Sequence, residues 1–149
     1  MLYIYSGSED YKISTKEKDY VYHLNTGSLI SRAKCLDDLK QVYDIALDVR
    51  DDYVKYINSL NKLFINNKLI YEGTISLFYF SDLFNKRTEI FDTYVSICHI
   101  LFIKEILRKH KGINSITTIC CSSCFNTALE SIIDGIEYEK IYEKNEKIN

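Results

Sequence analysis

Residues Ile90 to Leu107, IFDTYVSICHILFIKEIL, decide the fold. This is the most apolar stretch of the chain, interrupted by Asp92, Thr93, Ser96, His99, Lys104 and Glu105. A membrane span needs about 20 predominantly apolar residues, so these interruptions predict a buried central helix. Arg108, Lys109, His110 and Lys111 place positive charge where a helix dipole favours it, and Gly112 marks the stop. Asp92, Ser96 and His99 follow at steps of four and three, giving one polar stripe on the rod. Each would cost about 1–3 kcal/mol if buried unpaired, so a neighbouring polar group, solvent or a groove has to meet them.

Upstream, Leu36, Leu39, Val42, Tyr43, Ala46, Val49, Tyr53, Tyr56, Ile57, Leu60 and Phe64 recur every three or four residues. That period predicts an amphipathic helix or helix pair with an acidic outer side and a break near Asp51. Ile75 to Phe84 (ISLFYFSDLF) reads as strand or helix; Leu77, Phe80 and Phe84 share a helical face, which favours helix. Downstream, Ser115 is expected to cap a helix through Asp134 with Ile116, Cys120, Cys124, Ala128 and Ile132 on one face. Gly135 ends it, and a final polar helix follows from Ile136. Within the first 35 residues only Lys16 to Leu24 (KEKDYVYHL) is expected to be helical. The expected fold is all-α, a single domain over residues 1–149.

The length of 149 residues fits one domain against a prior of roughly 150. Nineteen basic against 21 acidic residues leave a net charge of −2, which excludes a polybasic nucleic-acid arm. The chain has no Pro, so no ring interrupts a helix. The opening residues lack a signal-peptide pattern, so an intracellular setting is expected, with Cys35, Cys98, Cys120, Cys121 and Cys124 as reduced thiols packed as small apolar groups. Cys121 and Cys124 have the spacing of half a zinc hairpin, but no later Cys or His completes it, so no metal or other cofactor is expected. Cys98 and His99 are adjacent on a helix and do not face one another, which argues against a nucleophile–base pair. His23 and His110 are expected on the solvated surface. No phosphate-loop, zincin, nucleophile-elbow or calcium-loop motif occurs, so an enzyme is not expected. Thirteen tyrosines suit a surface that presents amphipathic rings to a partner.

Ser96 to Lys109 (SICHILFIKEILRK), Ala128 to Ile136 (ALESIIDGI) and Leu36 to Leu60 (LDDLKQVYDIALDVRDDYVKYINSL) resemble, at pattern level, the poxviral Bcl-2-like apoptosis inhibitors. The resemblance implies a Bcl-2-like bundle around a central hydrophobic helix. Its function would be capture of BH3 helices from pro-apoptotic proteins of the Bim, Bak and Bax type in an apolar trough. The trough would be lined by Val42, Tyr43, Ala46, Val49, Tyr53, Ile57, Leu77, Phe80 and Phe84. The family's early basic residue of the central helix falls near Ser96, leaving Arg87 to meet the ligand carboxylate. The family also implies action in the host cytoplasm, or at the mitochondrial outer membrane where an apolar tail anchor is carried; the charged end IYEKNEKIN is not one. A homodimer that exchanges a helix fits the same fold. Two alternatives stand beside this: inhibition of innate immune signalling in the NF-κB pathway through an outer surface of that fold, and a cysteine-based metal or redox protein.

Overall fold

The computed structural model describes residues 1–71, 73, 75–76 and 87–142. Both ends of the chain carry short runs of aromatic and β-branched residues, LYIY, YVYH and ITTI, whose side chains suit a pleated surface. They form a five-stranded sheet. Its strands are β1 (Leu2–Tyr5), β3 (Tyr20–His23), β5 (Lys34–Cys35), β8 (Ser115–Ile119) and β9 (Glu137–Ile141), in the order β5-β3-β1-β8-β9. Every pairing in it is parallel, with Leu2 opposite both Tyr20 and Ile116. Two short strands, β2 (Tyr11–Lys12) and β4 (Leu29–Ile30), pair in parallel beside it.

Parallel strands covered on both faces bury consecutive residues, and the three central strands β3, β1 and β8 do, whereas the edge strands β5 and β9 have none buried. Ile4 with Tyr5, Val21 with Tyr22, and Ile116 through Ile119 are all buried. The chain divides into two compact units, one of Met1–Leu39 with the chain from Phe102 onward, the other Lys40–Leu101. The second unit holds most of α1 (Leu39–Asn66), the hairpin β6 (Ile70–Tyr71) and β7 (Ile75–Ser76), and the first part of α2 (Arg87–Lys109). The first unit holds the end of α2, where Phe102, Ile103 and Ile106 are buried and the Phe102 ring meets Tyr22 at 5.4 Å. It also holds α3 (Ser123–Glu130), which buries Phe125, Asn126 and Leu129.

The expected all-α, Bcl-2-like bundle is therefore corrected to a mixed α/β fold built on a parallel sheet. KEKDYVYHL contains β3, not a helix. Ser115 opens β8, because Ile116, Thr117, Thr118 and Ile119 are four successive β-branched residues whose stiff side chains disfavour helix. The helix starts later, where the Ser122 hydroxyl accepts from the Phe125 N–H at 3.2 Å. The expected helix from Ile136 is β9 as far as Ile141. No break occurs near Asp51: α1 is continuous over 28 residues. From Ile75, residues 75–76 form β7, and 77–86 lie outside the described residues. The central helix ends as expected, with Arg108 and Lys109 in its last turn. Among its described side chains Thr93 is exposed, Tyr94 through Ile97 are half-buried, and Cys98, His99 and Ile100 are buried.

Candidate functional site

An open parallel sheet offers a ligand site outside the carboxyl ends of its strands, where successive connections depart to opposite sides. Here that point lies between β1 and β8: the chain moves from β1 to β3 and β5 on one side, and β8 and β9 fill the other. The loop after β1 is fastened by the Tyr5 hydroxyl, which donates to the Glu9 carbonyl at 2.6 Å. The Ser6 N–H donates to the Ile119 carbonyl at 3.1 Å, tying the ends of β1 and β8 together. Asn25, from the loop after β3, donates through Nδ2 to the Ser6 carbonyl (2.9 Å) and the Ser6 hydroxyl (3.2 Å). Gly27 donates its N–H to the Gly7 carbonyl at 3.2 Å. Neither glycine has room for a side chain. A Cβ on Gly7 would stand 1.9 Å from the Tyr5 hydroxyl oxygen, and one on Gly27 2.3 Å from the Glu9 carbonyl.

The turn from β8 into α3 completes this edge. Cys120 sits at φ +58°, a left-handed conformation that costs an L-residue about 1–2 kcal/mol. Its N–H donates to the Ile141 carbonyl at 3.0 Å, and its side chain packs half-buried against the cluster of Tyr5, Val21, Leu29 and Ile119. Cys121 next to it is buried, and burial pushes its thiol up to about 12. Beneath the turn, Asn126 donates to the Cys121 carbonyl at 3.3 Å and accepts from the Tyr138 hydroxyl at 2.8 Å. The Tyr138 hydroxyl lies 3.2 Å from Thr118 Oγ1, so β8, β9 and α3 share one buried polar chain.

At the ends of β3 and β5, one donor atom each from His23, Cys35 and Asp37 lie within 4.8 Å of one another, a set that could hold a metal ion. The hydrogen bonds assign them a different task. The Leu29 N–H donates to His23 Nε2 at 3.0 Å, so that nitrogen is bare and Nδ1 carries the proton that Asp37 Oδ2 accepts at 2.8 Å. Asp37 Oδ1 also takes the His23 backbone N–H at 2.9 Å. Cys35 Sγ lies 3.9 Å from the same Nδ1. A nucleophile–base–carboxylate relay needs thiol and carboxylate on opposite ring nitrogens, so this trio is not one. A metal on Nδ1 would require the proton on Nε2, facing the Leu29 donor. Partial desolvation, with the Asp37 carboxylate beside it, raises the Cys35 thiol, which disfavours the thiolate form. The trio is a clamp that fastens the 24–30 loop and the residues after β5 to the edge of the sheet.

No protein-family model, curated protein or solved structure matches this chain.

The residues singled out from the sequence belong to the helical unit. Val42, Ala46, Val49, Tyr53 and Ile57 form one half-buried stripe along α1, while Tyr43 points outward, 63% exposed. The stripe meets α2: the Tyr94 hydroxyl donates to the Ala46 carbonyl, and the Tyr94 ring lies 5.0 Å from Tyr53. Arg87 opens α2 and Ser96 is half-buried within it. Leu77, Phe80 and Phe84 lie outside the described residues. His23 is a clamp residue, not solvated surface, and the His110 ring lies 5.0 Å from that of Tyr20, tilted by 47°. Among the cysteines Cys98 and Cys121 are buried, whereas Cys35 and Cys124 are exposed, and none of the five forms a disulfide. Sequence reasoning passed over Ser6, Gly7, Asn25 and Gly27, and it placed Cys120 on a helical face where the structure has a left-handed turn ahead of α3. The available signal was a repeated pattern, an apolar run broken by small polar residues and Gly, in LYIYSG and VYHLNTG.

Proposed function

We propose that this chain is an α/β binding domain that seats a small polar ligand outside the carboxyl ends of β1 and β8. The observation that carries the reading is the strand order, which reverses direction at β1 in an all-parallel sheet. What supports it is that the loops after β1 and β3 and the turn into α3 converge at this edge and are held there by hydrogen bonds through Ser6, Gly7, Asn25, Gly27 and Ser122. Titrating the isotope-labelled chain with sugars, nucleotides and amino acids, followed by backbone amide NMR, tests this. Saturable shifts centred on Ser6, Gly7, Asn25 and Cys120 are expected, and Asn25→Ala should weaken them several-fold. Ligands that bind but shift only amides of α1 would overturn the reading.

A second reading keeps the partner-binding role expected from the sequence and moves it to an outer surface. Its support is that α1 has no buried residue and exposes Tyr43, Leu47 and Val54, which share one face at 63%, 51% and 52%. The inward stripe is engaged by Tyr94, on the faces that an open BH3 trough would need. Calorimetric titration with BH3 peptides separates the possibilities. Saturable binding weakened by Leu47→Asp supports docking on that exposed face, and flat traces remove it.

A further inference from the structure

We infer that the segment joining β2 to β3, with the end of β4, forms a second site, which takes a phosphate-type oxyanion. Two adjoining hollows lie there and share Ser14 and Thr15. Lys12 and Arg32 line one; Lys16 and Lys18 line the other. Among the described residues none of these four cations has a carboxylate partner, although the chain as a whole carries a net charge of −2. The one carboxylate in the lining, Asp19, is 5% exposed and already occupied. It accepts the Lys16 N–H at 2.9 Å and faces the Met1 amino nitrogen at 3.3 Å.

The hydroxyls point to the same chemistry. Thr15 Oγ1 accepts the Arg32 N–H at 3.1 Å, and Ser31 Oγ accepts the Ala33 N–H at 3.3 Å. A hydroxyl has one proton to donate besides its lone pairs. With a lone pair of each taken by backbone N–H, and no acceptor for either proton among the described residues, both hydroxyls offer donors to whatever fills the first hollow. Hydroxyl donors beside a guanidinium and an ammonium match an oxyanion that only accepts, and Arg adds a planar fork that grips two of its oxygens. The second pair of cations across Ser14 and Thr15 favours two linked phosphates over one. This site uses none of the loops between β1 and β8, so it stands or falls independently of the ligand proposed there.

Inorganic pyrophosphate and orthophosphate are the probes, added to the full chain and followed by amide NMR and calorimetry. Saturable binding is expected with pyrophosphate tighter than orthophosphate, shifts at Thr15, Ser31 and Arg32, and weakening as salt rises. Lys12→Gln with Arg32→Gln should raise the pyrophosphate Kd at least tenfold, and Arg32→Lys alone should give an intermediate loss. Amide spectra outside 12–34 that match the wild type establish that both variants are folded. Pyrophosphate affinity unchanged by the double substitution overturns the proposal, as does absence of saturation at about 1 mM probe. Binding of oligonucleotides that tightens with length while pyrophosphate fails to bind would also overturn it, in favour of a nucleic-acid backbone.

Discussion

The two units of this chain hold themselves together in different ways. In the sheet unit, residues two to four in a row vanish from solvent, as Ile116 through Ile119 do, because both faces of a parallel sheet are covered. In the helical unit, α1 runs for 28 residues without one buried side chain, and its contact with α2 is a half-buried stripe joined through Tyr94. Fully burying an aliphatic side chain contributes roughly 1.5–3 kcal/mol, so the stability of the molecule is concentrated in the sheet. The sheet is thus the rigid scaffold against which edge loops can be positioned, and α1 is the element with surface to spare.

The sharpest way to break this contrast is a matched pair of truncations. Ile4→Ala empties a site that is 0% exposed in the central strand, and should cost about 2–5 kcal/mol in denaturant unfolding. Tyr43→Ala on α1, where the ring is 63% exposed, should stay within about 0.5 kcal/mol. Equal losses at the two positions would mean that α1 is buried in solution against something, and the contrast would collapse.

Legibility in the sequence follows the same division. The α1 stripe and the stop of α2 at Lys109 were readable because helix contacts are local: residues three or four apart share a face, and charge at a helix end acts within one turn. The sheet was not readable, because its strands are two to five residues long and the central ones, β1, β3 and β8, bury consecutive residues, so the polar–apolar alternation that marks a half-exposed strand does not develop there. ITTI after Ser115 imitates a capped helix until one weighs its four β-branched residues. The partner that makes Leu2 a strand residue is Ile116, a pairing that nothing local encodes. The candidate site inherits this difficulty. Gly7 and Gly27 stand out as turn residues, but that they touch across two loops emerges only when β1 and β3 lie side by side.

Hydroxyl deletions sharpen the comparison further. Tyr138→Phe strands the buried Asn126 oxygen, 2% exposed as a residue, and should cost about 1–3 kcal/mol. Tyr94→Phe removes a bond to the Ala46 carbonyl at a half-buried position where water can replace it, so about 0.5–1.5 kcal/mol is expected. A larger loss at Tyr94 would place the polar anchor of the fold in the helical unit.

Alkali gives a third comparison. The Cys121 thiol is raised from 9.0 to about 12 by burial, so the folded chain keeps its proton where the unfolded chain releases it. The associated stability is fully present below pH 9 and is lost as pH rises toward 12, at about 1.4 kcal/mol per unit. Unfolding free energies at pH 8 and pH 10 should therefore fall more for the wild type than for Cys121→Ala. Parallel slopes would show that water reaches this part of the sheet.

The smallest expected effect tests the turn at the centre of the proposed site. Cys120 holds φ +58° at a cost of about 1–2 kcal/mol for an L-residue, and Gly relieves that cost while adding about 0.5–1 kcal/mol of unfolded-state entropy to overcome. Cys120→Gly should accordingly stabilise the chain by about 0.5 kcal/mol, even though it removes a side chain packed on Tyr5 and Leu29. Cys124→Gly, on the exposed side of α3, should instead cost about 1 kcal/mol, because there the backbone is helical and the glycine only adds entropy to be lost. Opposite signs at two cysteines four residues apart would show that the strain sits in the turn itself. A loss at both positions would mean that the Cys120 side chain is kept for its packing, and the left-handed turn would no longer single out this edge of the sheet.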